Sequence, residues 1–118
     1  MCFSLFLAAT YYFYSLKKDK LHITLTSHSI QVSLELVQTQ LPLEDDVEMH
    51  TTVFDLKDNE MLFLRNKIQD KKRTRFNWHE TELNLPQGKY KTLTHIIAFP
   101  KLYPEKTLFE KTLKLKVE

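Results

Sequence analysis

The residues best placed to do chemistry are a run of cations, Lys67, Lys71, Lys72, Arg73 and Arg75, with Phe76 and Trp78 directly behind it. Basic side chains interleaved with aromatic rings hold single-stranded nucleic acid by phosphate contact and base stacking. The same charges hold anionic lipid near a membrane. The plainer alternative puts the cations in a solvated loop and the two rings in the core. The formal net charge is only +2, so no extended basic face is guaranteed. A second group is acidic, Glu44-Asp45-Asp46-Val47-Glu48. Calcium needs several oxygens converging on one point. The EF-hand spacing is absent here, and a solvated charge run is the default for such a stretch.

The remaining polar residues spell no complete catalytic pattern. The histidines are His22, His28, His50, His79 and His95. His79-Glu80 opens like H-E-x-x-H, but position 83 is Leu83 and the second ligand is missing. His22 and His28 fall on neighbouring strands, yet two histidines without a third ligand rarely make a catalytic metal site. All five serines lie in the first 33 residues, with no nucleophile elbow or oxyanion loop beside them. Gly88 is the single glycine, so neither a phosphate-cradling loop nor G-x-S-x-G can be written. The single cysteine, Cys2, permits no internal disulfide and no cysteine zinc cluster. The expectation is a non-enzyme with no metal and no cofactor.

The elements that must position these residues fall into two parts. Met1 to Leu16 carries no charged side chain and stands against Lys17-Lys18-Asp19-Lys20. As a helix it would extend about 24 Å at 1.5 Å per residue, short of a hydrocarbon core of about 30 Å. Lys17 and Lys18 can snorkel to the interface, and Tyr11, Tyr12 and Tyr14 suit an aromatic belt. This predicts an N-terminal apolar helix, a membrane anchor or signal over 1–20, on a membrane-anchored or extracellular, cell-envelope protein. The alternative is that residues 3–16 form a buried element of the domain itself. Lysines after the apolar block place the domain in the cytoplasm by the positive-inside rule. A basic stretch upstream would reverse that orientation.

From Leu21 onward the period is two. Leu21, Ile23 and Leu25 alternate with His22, Thr24 and Thr26, and Ile30 to Leu36 repeats the pattern. Val47 to Val53 and Met61 to Leu64 read as a hairpin around the turn Asp55 to Asn59. Thr74 to Leu85 slips phase between Trp78 and Leu83, which predicts a bulge or break near 79–82. Tyr90 to Phe99 and Leu113 to Val117 complete the set. Lys114 and Lys116 on the last strand would guard an open edge. About seven strands with regular turn signals predict an all-β, antiparallel two-layer sandwich over 21–118. Its loops fall at 38–46, 66–73 and 100–105.

Leu85-Pro-Gln-Gly88-Lys-Tyr90 resembles the L-x-x-G-x-Y approach to the sixth strand of immunoglobulin-like and fibronectin-III-like domains. The resemblance implies structural roles for Gly88 and Tyr90, the tyrosine forming a corner whose hydroxyl bonds backbone just upstream. Val53 to Asn59 likewise resembles the turn between the third and fourth strands of many bacterial surface members. The chain departs from antibody-type domains in lacking paired core cysteines, and Trp78 comes too late for the third strand. The similarity is architectural and carries no functional residues across. Two functional expectations follow. One is a non-catalytic binding or scaffold domain engaging a protein partner through its loops or a sheet edge, with Trp78, Leu102 and Tyr103 as contacts. The other is a soluble nucleic-acid or polyanion-binding β-domain using the basic cluster 67–75.

Overall fold

The computed structural model describes residues 18–118, so the expected anchor over 1–20 falls almost wholly outside the described residues. Every regular element among the described residues is a strand: β1 (Lys20–Leu25), β2 (Ile30–Glu35), β3 (Asp46–Phe54), β4 (Glu60–Lys67), β5 (Arg75–Glu80), β6 (Gly88–Phe99) and β7 (Lys106–Val117). They form two antiparallel sheets, β1-β2-β5 and β4-β3-β6-β7.

Alternation builds the smaller sheet. Leu21, Ile23 and Leu25 pair with Leu34, Val32 and Ile30, while Val32 and Leu34 also pair with Trp78 and Phe76. One face of the sheet is therefore apolar, and the other carries His22, Ser33, Glu35, Asn77 and His79. Ser33 Oγ donates to Asn77 Oδ1 at 2.7 Å on that wet face. The larger sheet contributes Val47, Met49, Val53, Tyr90, Ile96, Ala98 and Val117 to the same core. Each fully buried aliphatic side chain contributes about 2 kcal/mol relative to exposure.

The core of the larger sheet is not purely apolar. Thr51, Thr92 and Thr94 are fully buried. Thr51 and Thr94 are cross-strand partners whose hydroxyls lie 2.9 Å apart, and Thr92 Oγ1 donates to the Leu113 carbonyl at 3.4 Å. Each hydroxyl thus keeps a partner inside the core, which burial of a polar group requires.

Two boundaries differ from the sequence expectation, and the break expected near 79–82 is present. β4 continues through Lys67 because β3 supplies pairing partners up to Glu48. β7 begins at Lys106, not Leu113, because twelve-residue β6 offers a ladder along its whole length, with one irregularity at Ile96/Ile97. Charged residues at 106–111 are tolerated there because an edge strand is open to water. β5 ends at Glu80, and Glu82 takes a left-handed φ of 64°. The chain then bonds to the β1–β2 hairpin through Leu83 N to His28 O (3.0 Å) and Leu85 N to Ser27 O (2.9 Å). That change of partner is the source of the phase slip.

Two turns have clear chemistry. Asp55 Oδ1 accepts from Lys57 N (2.8 Å) and Asn59 N (2.9 Å), and Asp58 sits at φ 63°. Asp tolerates that region better than most residues. Before β6, Gly88 adopts φ 151°, where a side chain would be strained although the space is open. Tyr90 lies buried two residues on and donates from Oη to the Pro86 carbonyl at 2.5 Å. Tyr90→Phe keeps the ring packed and removes this bond. We expect a loss of about 1 kcal/mol in urea unfolding with an unchanged m-value.

Candidate functional site

Strand directions send the segments 36–45, 68–74 and 100–105 to one end of the molecule, where residues 18 and 19 also lie. Asp19 organises this end. Its Oδ1 accepts from the backbone N–H of Val37 (2.7 Å), Gln38 (2.8 Å) and Thr39 (3.3 Å), and Oδ2 accepts from Thr39 Oγ1. Burial opposes its ionisation, but these hydrogen bonds outweigh burial and hold its pKa below the ordinary value. Lys71 works similarly from the other side, donating to the carbonyls of Leu43 (3.2 Å) and Asp45.

The cations at 67–75 are not gathered into one site. Lys71 is tied to the neighbouring loop, while Lys72 and Arg73 are exposed beside it. Arg75 stands on the wet face of the smaller sheet, 3.8 Å from Glu35. Phe76 and Trp78 point the opposite way, into the core side, with rings stacked at 5.6 Å. Trp78 is half-buried, whereas Leu102 and Tyr103 are 89% and 74% exposed. Val37 and Leu43 add exposed apolar surface at the same end. The acidic run 44–48 does not converge either. Glu48 turns away to the larger sheet, and among the described residues no group of three or more His, Cys, Asp or Glu is arranged to hold a metal ion. Among the described residues no helix is long and apolar enough to cross a membrane.

The outer face of the larger sheet holds the most unusual chemistry. A face turned to water should alternate polar with the core. Here it presents Phe54 and Thr52 on β3, Phe63 on β4, and Leu93, Ile97 and Phe99 on β6, all at least partly exposed except buried Thr52. Strand register lays one titratable row across all four strands, Arg65, His50, His95 and Glu110. Beside it, Glu48 is buried to 4% exposure. Arg65 donates to it from Nε (2.5 Å) and Nη2 (2.8 Å), and His50 donates from Nε2 at 2.9 Å. An ionised carboxylate only accepts, so His50 carries its proton on Nε2. The His50 ring meets Phe63 edge-on at 5.4 Å. His95 Nδ1 is buried and unpartnered among the described residues, its nearest carboxylate being Glu110 at 4.0 Å.

The Arg65 fork, then the His50 hydrogen bond, lower the Glu48 pKa to about 2. The arrangement is a buried carboxylate satisfied by an arginine and a histidine, with the Phe63 ring against the histidine. No protein-family model matches the chain, and no curated protein matches it.

The loop tip at Leu102 and Tyr103 was visible in sequence, whereas the sheet face was not. Its one local signal is the run Val47 to Phe54, where both alternating sets are buried. The cross-strand row depends on register, which no single stretch encodes. Because the folded pKa of Glu48 lies below its unfolded value, its contribution to stability is complete above about pH 4.5 and is lost as pH falls toward 2. Glu48→Gln should lose about 2 kcal/mol at pH 7. Its urea midpoint should also fall less than that of the parent between pH 5 and 2.5.

Proposed function

We propose that this chain is a non-catalytic binding domain of the fibronectin-III-like kind, engaging a protein partner through the outer face of its four-stranded sheet. Two features support the architectural part. The fourth strand joins the third, sixth and seventh, whereas antibody constant domains keep it with the first, second and fifth. The Tyr90 hydroxyl bonded to Pro86 matches the tyrosine corner of such sandwiches.

The observation that carries the binding part is the composition of that outer face. Phe54, Phe63, Leu93, Ile97 and Phe99 surround a charge pair already neutralised between Glu48 and Arg65. Apolar side chains around a satisfied Arg are the make-up of an interface centre. Phe99 leads straight into the exposed Leu102 and Tyr103, so the loop 100–105 extends the same surface toward one end. The dispersal of Lys71, Lys72, Arg73 and Arg75 weighs against the segment 67–75 as a nucleic-acid site. The uncharged block Met1–Leu16 followed by two lysines supports a membrane-attached or exported setting.

The test is a photo-crosslinking amino acid placed at Phe63 in the full chain, with Gln31 on the wet face of the smaller sheet as control. Position 63 should give a discrete protein adduct that Leu93→Glu suppresses, and position 31 should give none. No adduct at 63, equal adducts at both positions, or an adduct of twice the chain's own mass would each overturn this reading.

A further inference from the structure

A group of four lysines lies at the opposite end of the larger sheet from the loop 100–105. β6 and β7 pair Lys89 with Lys116 and Lys91 with Lys114. All four lie on the outer face, since Tyr90 and Leu115 between them point to the core. Directly opposed like charges destabilise a sheet, so two consecutive opposed lysine pairs need a reason. Protection of an open edge accounts for Lys114 and Lys116 on β7. It does not account for Lys89 and Lys91, because β6 is enclosed between β3 and β7.

A groove of about 500 Å³ runs over these lysines and is bounded by the β3–β4 turn, where Leu56 is exposed. The turn does little to neutralise them. Asp55 spends its carboxylate on Lys57 N, Asn59 N and Asn59 Nδ2. Asp58 takes only Lys91, at 3.0 Å, and Lys91 also lies 5.7 Å from the Phe54 ring centroid. Lys89, Lys114 and Lys116 have no carboxylate within ion-pair distance among the described residues.

We propose that this groove is a binding site for a linear sulfated polysaccharide, adjoining the protein-binding face at Phe54 and Lys91. Opposed side chains stand about 5 Å apart across the pair, and successive outer-face positions about 7 Å apart along each strand. That grid matches closely spaced anionic esters on an extended chain, and each lysine meets them as a flexible point charge. A single-stranded nucleic acid would also need exposed rings for its bases. The one ring lining the groove, Tyr90, is buried, and Lys91 lies over the neighbouring Phe54 ring. The ligand is therefore a polymer slender enough to lie along the strands.

The experiment is salt elution of the full chain from immobilised heparin, with K89Q/K114Q/K116Q as the variant. Binding by counterion release predicts that the salt-dependence slope falls by about three, one per lysine. The same variant should melt at or above the parent temperature, since opposed like charges are removed. The triple Lys→Arg variant should keep retention, and K72Q/R73Q at the far end should elute like the parent. Unchanged elution of the triple Gln variant would overturn the site, as would equal loss in K72Q/R73Q. Tighter binding to a single-stranded oligonucleotide, or to phosphatidylserine vesicles, than to heparin would overturn the ligand class. Should the triple Gln variant fail to fold, K89Q alone is expected to lower the slope by about one, and no change in it overturns the site.

Discussion

The register between β3 and β6 is the constraint on which the rest of the molecule depends. Nine consecutive residues of β3, Asp46 to Phe54, face nine of β6 without a break. Because side chains alternate with period two, a slip of β3 by one residue would exchange its two faces relative to β6. Thr51 would leave the core and part from Thr94, and His50 and Glu48 would enter it. The register is held by what each face contributes. Val47, Met49, Val53 and Ile96 fill the inner side, while Glu48 on the outer side is held by Arg65 and His50. Breaking a buried charge pair leaves an uncompensated carboxylate, so the outer face resists slippage as well as the inner one.

Much of the fold was legible in the chain. β1 and β2 alternate cleanly because one side of their sheet meets water, and the sequence Asp55 to Asn59 spells its turn in side chains that bond their own backbone. β6 was legible as a strand but not as a surface. Its inward set, Tyr90, Thr92, Thr94, Ile96 and Ala98, includes two threonines, and its outward set includes Leu93, Ile97 and Phe99. Neither set announces itself as core. The cations at 67–75 are neighbours in sequence, but a loop followed by a strand spreads them over a tether, a loop and a wet sheet face. The four lysines of β6 and β7 are about 25 residues apart in sequence and become neighbours only through pairing. Charge proximity in a sheet is a property of register, and a linear count of Lys and Arg does not contain it.

The larger sheet thus carries two distinct chemistries on one outward side. Toward the loop 100–105 the surface is apolar around a satisfied ion pair. Toward the β3–β4 turn it is cationic and largely unneutralised. Both lie on strands held in place by neighbours on each side, apart from β4 and β7, so the groups sit on a rigid platform rather than on mobile loops. Side chains displayed this way lose little freedom on binding, which lowers the entropic cost of association.

Asp19 gathers three backbone N–H groups and a hydroxyl at the point where the chain joins the sandwich. β1 runs away from that point, and β7 finishes at the far end. Tension applied between residues 18 and 118 would therefore act lengthwise along the strands, across ladder bonds that run perpendicular to the pull. Such bonds share a load and fail together rather than opening one by one. The Asp19 carboxylate, tying residue 19 to the backbone of 37–39, sits at the loaded end of that ladder and adds its own hydrogen bonds to those that share the pull.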